Sequence, residues 1–489
     1  MNRDLPALAN QFFDVLIVGG GILGAGIARD AALRGLTVAL VDRADFAAGT
    51  SSRSSKLIHG GFRYLEQRAF GLVAESCRER AVLQRIAPHL VRPLPFLLPV
   101  YAHNRNSLGR VRAGMFLYDL FAGFPKAIRH QSLPAIRTLM KEPNLARTGL
   151  TGSVLFYDCQ EDDARFCLDN ILDAAERGAA VANYTELTEF VTREDRLIAA
   201  RVRDRLGGPS FEIAARVFVN ATGPWGPRVA ALAPFDAGEI ALQPTKGVHL
   251  LLPQLTQKYA LAFQARSDGR VLFVLPWGDC SIVGTTDTDF DGDPASVRVE
   301  PADIEYLLAE VNTLLPGKAV TPADIITTFA GVRALLRSDH AAPSARSREH
   351  RIARAGQNLV HIAGGKYTTY RLIARDAVNL AERILDRRPS ACRTGDTPLR
   401  SHRPPPTGDR LAEIPDVCQS DIIYACAHEM AVKLGDVMRR RTSLALSRHG
   451  GPDVAERVAG IMAKNLGWTD VRLRTEFQEY FDEWKRSRP

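Results

Sequence analysis

Phe13-Asp-Val-Leu-Ile-Val-Gly19-Gly20-Gly21-Ile-Leu-Gly24-Ala-Gly26 runs an apolar strand into a glycine turn. Ile27 to Arg34 reads as the helix that follows, and the next apolar run, Thr37-Val-Ala-Leu-Val41, ends on Asp42. Strand, turn, helix, strand and terminal acid in that order make a dinucleotide-binding unit. Gly19 permits the tight turn, Gly21 lets the backbone approach a pyrophosphate, and Gly24 lets helix and strand pack closely. The helix N-terminus then turns its N–H groups to the phosphates. Asp42 stands where a carboxylate accepts hydrogen bonds from a ribose diol, which disfavours a 2′-phosphate.

The rest of the chain narrows the class. At 489 residues it predicts two or three domains. No run reaches the roughly 18 apolar residues of a membrane-spanning helix, and Met1 to Gln11 lacks the order of a signal peptide. A cytoplasmic address is therefore expected. The seven cysteines (Cys77, Cys159, Cys167, Cys280, Cys392, Cys418 and Cys426) include no C-x-x-C pair. That spacing argues for reduced thiols, against a zinc site or any other metal centre, and against a flavin disulfide reductase. The net charge of +8 suits an anionic substrate or surface. Without aromatic-basic interleaving, no nucleic-acid partner is expected.

Two further glycine signals lie downstream. Arg216-Val-Phe-Val-Asn220-Ala221-Thr222-Gly223-Pro224-Trp225 reads as a strand returning to the nucleotide domain. Asn358-Leu-Val-His-Ile-Ala363-Gly364-Gly365-Lys366-Tyr367-Thr368-Thr369-Tyr370-Arg371 reads as a strand broken at two glycines before a helix. No second complete G-x-G-x-x-G exists, so electrons are expected directly from a substrate and not from a nicotinamide. Val271–Leu275 and Ser281–Thr285 read as a hairpin of an antiparallel substrate sheet. The arginine- and proline-rich stretch 387–412 reads as a linker, and 413–489 as a separate helical domain. Within that domain, Arg439-Arg440-Arg441 reads as a solvated helix face.

These motifs carry a family resemblance. Gly19 to Gly26, Thr50-Ser-Ser-Arg-Ser-Ser-Lys56-Leu-Ile-His59-Gly-Gly-Phe-Arg63-Tyr64-Leu65 and Asn220 to Trp225 resemble the FAD-dependent glycerol-3-phosphate dehydrogenases. So do Gly284-Thr-Thr-Asp287, Gly331-Val-Arg333 and Gly364 to Arg371. The resemblance covers most of residues 13–385. It implies an α/β fold with a Rossmann-like FAD-binding domain, a D-amino-acid-oxidase-like antiparallel substrate sheet and a C-terminal helical domain. The corresponding division assigns 1–90, 216–228 and 346–386 to FAD binding. It assigns 91–215 to mixed cap, membrane-contact and FAD segments, and 229–345 to the substrate domain. The implied reaction is hydride transfer from glycerol 3-phosphate to FAD, giving dihydroxyacetone phosphate, with a membrane quinone as acceptor. Leu23, Ala334 and a basic loop from Leu335 to Arg348 depart from the family pattern. They leave a related polyol phosphate, such as erythritol phosphate, as an alternative substrate. An oxygen-using oxidase and a flavin-bearing binding protein without turnover are the competing classes.

For the site, the resemblance gathers Arg63, Tyr64, Arg348, Lys366 and Thr368 around the substrate. Arg333 is expected to polarise the carbinol oxygen, and His59 and His249 are the candidate bases. Cofactor contacts are expected from Gly19, Gly21, Gly24, Asp42, Thr50, Ser51, Ser52, Ser55, Lys56, Leu57 and His59. Ala221, Gly223, Trp225, Gly365, Lys366 and Thr368 complete that set, with Ser51, Ser52, Ser55 and Lys56 closing over the phosphates and ribityl chain. Arg105, Arg110, Arg112, Lys126 and Arg129 flank the apolar stretch Ala113 to Phe124. That pattern suits an anionic membrane surface, placing the protein peripherally on the cytoplasmic face of the cell membrane. A homodimer is compatible with the sequence.

Overall fold

Strand Phe12–Val18 lies parallel to Val38–Val41 on one side and to Ser210–Asn220 on the other, with Val18 opposite both Val41 and Asn220. Their carboxyl ends therefore open together on one crevice, the place where such sheets take ligands. Ala180–Ala182 extends the sheet beyond Val38–Val41, while Leu359–Gly364 and His350–Ala355 extend it beyond Ser210–Asn220. This is a computed structural model; it describes residues 1–66, 68–123, 129–235, 240–337 and 349–489, with the side chain of Arg63 set aside.

The central strands are apolar at nearly every position because both faces are covered. Helices Ile22–Leu33, Asp163–Glu176 and Tyr370–Ile384 pack on one face, joining Val15, Ile17, Ala28, Ile171, Ile373 and Ala377 in one core. The hairpin Thr185–Arg193 and Arg196–Asp204 covers the other, through Phe190 and Val202 against Phe13, Leu16 and Phe218. The helix after the glycine turn starts at Ile22, directly on Gly21, and so begins earlier than the Ile27 expected from the sequence.

Among the described residues the second sheet has ten strands. Thr245–Pro253 lies between Cys280–Gly284 and Thr327–Arg333, all antiparallel. Val271–Trp277 and Cys280–Gly284 form the expected hairpin. The sheet is not confined to 229–345. Arg92–Tyr101, Gln131–Pro134 and Leu150–Gln160 belong to it, and Ala260–Gln264 joins Arg92–Tyr101 in parallel. Periodicity cannot assign a buried strand to one sheet or the other, since both present the same apolar run. Helix Pro301–Leu314 covers one face of this sheet, and Phe70–Ile86 with Leu108–Phe121 the other.

Two further expectations fail. The stretch 387–412 is not a free linker: Arg29 donates to the carbonyl of Thr397 at 2.8 Å, and the Leu399 N–H to that of Ile86 at 2.7 Å. These bonds lay its middle along the nucleotide domain. Helices Gln419–His428, Pro452–Leu466 and Asp470–Arg486 then build a core around Ile422, Val437, Met438, Val458 and Met462. Arg440 and Arg441 are not a solvated face. In the widened turn Val437–Arg441, Arg441 is buried and Arg440 half-buried, and both pair with Asp45 of the nucleotide domain.

Candidate active site

One cavity of about 990 Å³ runs from Asp42, past the glycine turn, to Arg333 and the Gly364–Thr368 loop. At its first end the backbone does the work. A Cβ on Gly24 would lie 1.8 Å from the Gly19 carbonyl oxygen, so only glycine lets helix and turn meet. The helix opens on Gly21, which has no side chain to cap it, so the donors of its first turn other than the Ile22 N–H are left to a ligand's phosphates. Ser51 Oγ accepts the Ile22 N–H at 2.9 Å and pins the Thr50–Ser52 turn to this helix. The Asp42 carboxylate accepts N–H bonds from Gly20 at 2.7 Å and Ala44 at 2.8 Å. Burial nevertheless pushes its pKa up to about 6 against those bonds. A dinucleotide diol donating to this carboxylate would favour its ionised form. The cradle and this acceptor fit the adenosine diphosphate half of FAD.

At the far end, side chains from separate strands converge. Arg333 lies in the cavity wall, donating to Asp287 Oδ1 at 3.1 Å and Thr285 Oγ1 at 2.9 Å. Its guanidinium occupies space that a side chain on Gly247 would fill, with a Cβ there 2.3 Å from Nη2. His249 is buried, stacks on Phe329 with ring centres 4.8 Å apart, and pairs through Nε2 with Ser55 Oγ at 2.8 Å. Its Nδ1 has no hydrogen-bond partner among the described residues. Burial, then the charges of Arg333 and Lys56, hold its pKa well below the usual histidine value, so the ring is neutral.

The cavity brings most of the expected residues together. Gly19, Gly21, Asp42, Thr50, Ser51, Ser55, Leu57, His59, Tyr64, Ala221, Gly223, Trp225, His249, Arg333, Gly365, Lys366 and Thr368 all line it. Lys366 reaches the His59 carbonyl at 2.7 Å and lies 5.3 Å over the Tyr64 ring, which ties the Gly364–Thr368 loop to the His59–Tyr64 segment. Lys56 is a correction: its ammonium is buried and paired with Asp163, so it holds the serine loop from behind instead of facing phosphates. Ser52 likewise turns to the Gly49 carbonyl and is absent from the cavity wall. Arg348 lies outside the described residues, as does the Arg63 side chain.

Three contributors escaped the sequence reading. Asp287 and Thr285, which orient Arg333, stand inside the Gly284-Thr-Thr-Asp287 motif, where a carboxylate near an arginine was the available signal. Asp163, the partner of Lys56, opens a helix more than a hundred positions away, and no local pattern announces it. Among the described residues no cluster is fit to hold a metal ion.

Residues 14–380 match the family described as FAD dependent oxidoreductase, and residues 390–473 match the C-terminal domain of alpha-glycerophosphate oxidase. A glycerol-3-phosphate dehydrogenase 2 of Mycobacterium bovis is 36% identical, over 97% of this chain and 88% of the relative. A glycerol-3-phosphate dehydrogenase of Synechocystis is 32% identical, over 98% of each. The solved glycerol-3-phosphate dehydrogenase of Bacillus halodurans, complexed with FAD, is 27% identical, with a TM-score of 0.80 over 99% of this chain and 98% of that one. The chain belongs to the FAD-dependent oxidoreductases, among the glycerol-3-phosphate dehydrogenases, and its cofactor is FAD.

Proposed function

We propose that this enzyme oxidises sn-glycerol 3-phosphate to dihydroxyacetone phosphate and passes the electrons to a membrane quinone. The observation that carries this reading is Arg333, fixed by Asp287 and Thr285 in a wall shared with neutral His249. When bound, FAD supplies the two-electron acceptor for the hydride leaving the carbinol carbon. Arg333 stabilises negative charge as it grows on the carbinol oxygen. His249 takes the hydroxyl proton at Nδ1, provided its Nε2–H donates to Ser55 Oγ and leaves the Nδ1 lone pair available. The phosphate dianion of the substrate offsets the positive charges that depress this histidine, and so raises its basicity when substrate binds.

Quinone as acceptor requires a membrane, and one helix suits it. Leu108–Phe121 buries Met115 and Tyr118 but exposes Phe116 (56%), Leu117 and Leu120 (49%), beside exposed Phe70. Arg105, Arg110, Arg112 and Arg129 lie exposed around this face, while Lys126 falls outside the described residues. Apolar side chains rimmed by arginines match the interface of an anionic leaflet, which supports a peripheral position on the cytoplasmic face. Among the described residues no helix is long and apolar enough to cross a membrane.

A second reading, an oxidase that returns the electrons to dioxygen as hydrogen peroxide, is favoured by the match at residues 390–473. Anaerobic flavin bleaching across a panel of polyol phosphates and their unphosphorylated parents tests the substrate. Bleaching by glycerol 3-phosphate at the lowest concentration is the expected result, and preference for another polyol phosphate would overturn it. Reoxidation by a short-chain quinone in vesicles, without peroxide, is expected; stoichiometric peroxide in air selects the oxidase.

A further inference from the structure

Asp45 lies three residues beyond Asp42 and is wholly buried. Its carboxylate accepts from Arg440 Nε at 2.5 Å, Arg441 Nη1 at 2.7 Å and Arg441 Nη2 at 2.8 Å. Both arginines come from the C-terminal helical domain. A second buried carboxylate there, Asp436, accepts from Arg440 Nη2 at 2.7 Å and from the Tyr184 hydroxyl at 2.6 Å. Two guanidinium groups thus meet two carboxylates away from water, and removing one strands a buried charge. Burial alone would raise the Asp45 pKa, yet Arg441 and Arg440 hold it well below the carboxylate range.

This network continues into the cofactor cradle. The Tyr184 N–H donates to the Ala44 carbonyl at 2.9 Å, while the Ala44 N–H donates to Asp42 Oδ1 at 2.8 Å. The Ala47 N–H donates to the Gly20 carbonyl at 3.0 Å, which joins the same loop to the glycine turn. Tyr184 and Lys433 themselves line the cavity. The C-terminal domain also contacts the substrate sheet. The Thr328 N–H donates to the Ser487 carbonyl at 2.7 Å, on the strand that carries Arg333, and Arg448 pairs with Asp279 at 3.0 Å.

We propose that Arg440 and Arg441 are positioning residues of the FAD site. They hold the Asp42–Ala47 loop in the form that receives the adenosine ribose, so docking of the C-terminal domain and binding of FAD favour each other. By linkage the effect runs both ways with one magnitude. The inference rests on FAD as cofactor and is independent of the substrate and of the electron acceptor.

The test titrates FAD into the cofactor-free full-length chain, read by flavin fluorescence. Arg441→Met is expected to weaken FAD binding about tenfold, within the usual range of coupling between sites. Arg448→Ala, which removes only a partly exposed ion pair between the same domain and Asp279 and leaves the pairing with Asp45 in place, is expected to leave the affinity unchanged. Equal affinity in Arg441→Met and the unmodified protein, or an equal loss in Arg448→Ala, overturns the proposal. A readout that needs no substitution is amide hydrogen exchange across 432–443 in the unmodified protein. Exchange there is expected to slow when FAD is added, and exchange indifferent to FAD overturns the proposal even where Arg441→Met fails to fold.

Discussion

The two ends of the cavity are built on opposite plans. At the adenosine end the binding atoms are largely backbone, and the turn, helix start and acid that supply them come from one contiguous stretch, Gly19 to Asp42, pinned by Ser51. At the carbinol end the binding atoms are side chains, and their order depends on residues distant in sequence: Ser55 on His249, Asp287 and Thr285 on Arg333. The difference follows from the ligand. A pyrophosphate and a diol ask for close backbone approach, which glycine spacing supplies. A reacting carbinol asks for charge held rigid in a dry wall, which needs buried partners for every guanidinium.

The largest expected effect breaks the piece joining the two ends. Asp163 accepts from the Ser54 N–H at 3.0 Å, from Ser54 Oγ at 2.7 Å and from Lys56, and so anchors the loop that runs from Ser51 to Ser55. Lys56→Met leaves that carboxylate buried without its cation. A loss of about 3–5 kcal/mol in folding stability is expected, measured by denaturant unfolding of the cofactor-free chain. Unfolding within error of the unmodified protein would mean that Lys56 is solvated and that the two ends are independent.

Next is Arg333→Met, which acts on the carbinol end alone. Because the interaction strengthens as alkoxide charge develops, flavin reduction at saturating substrate should slow by about two to three decades, roughly 2–4 kcal/mol. FAD affinity should not move. If stopped-flow reduction keeps its rate at saturation and only the Michaelis constant rises, Arg333 is an anchor for the phosphate.

The same contrast governs what the sequence disclosed. Gly19, Gly21, Gly24 and Asp42 were legible because strand, turn, helix and acid follow one another at fixed spacing. The hairpin Val271–Trp277 and Cys280–Gly284 was legible for the same local reason. Lys56 was misread because a lysine in a serine-rich loop suggests a phosphate contact, and only the fold brings Asp163 behind it. Arg440 and Arg441 were misread because a run of three arginines implies solvent, and their partner, Asp45, is almost the whole chain away. Burial of a charge is decided by what packs against it, and periodicity carries no record of that.

The adenosine end has its own titration. Burial raises the Asp42 pKa from 3.8 to about 6 in the cofactor-free protein. Between those values the folded chain binds more protons than the unfolded chain, so stability falls as pH rises, by at most roughly 3 kcal/mol. Thermal unfolding of cofactor-free protein from about pH 4 to 7 should show this slope, and Asp42→Asn should lose that part of it. FAD binding should weaken as pH falls below about 6, where the acceptor protonates. An identical slope in the asparagine variant means that Asp42 does not titrate there, and FAD affinity indifferent to pH across this range removes it from the ribose site.

The smallest effect concerns a surface that serves neither end, and it tests whether that surface is separable. The inner side of helix Leu108–Phe121 supports the carbinol end: the Tyr118 hydroxyl donates to Asp158 Oδ1 at 2.7 Å, and Asp158 accepts the Gly60 N–H at 3.2 Å. The outer side carries Phe116, Leu120, Arg110 and Arg112 into solvent. Reversing Arg110 and Arg112 to glutamate should release the protein from anionic vesicles, since each basic residue near such a surface contributes about 1 kcal/mol. Turnover with a soluble artificial acceptor should be unchanged, because Tyr118 and its bond to Asp158 remain. Vesicle binding read by sedimentation separates the outcomes. Retention of binding after both reversals assigns the exposed helix face to a contact between protein surfaces. A parallel loss of turnover with the soluble acceptor would mean that the helix transmits its outer charge to the carbinol end, and the two faces would then act as one element.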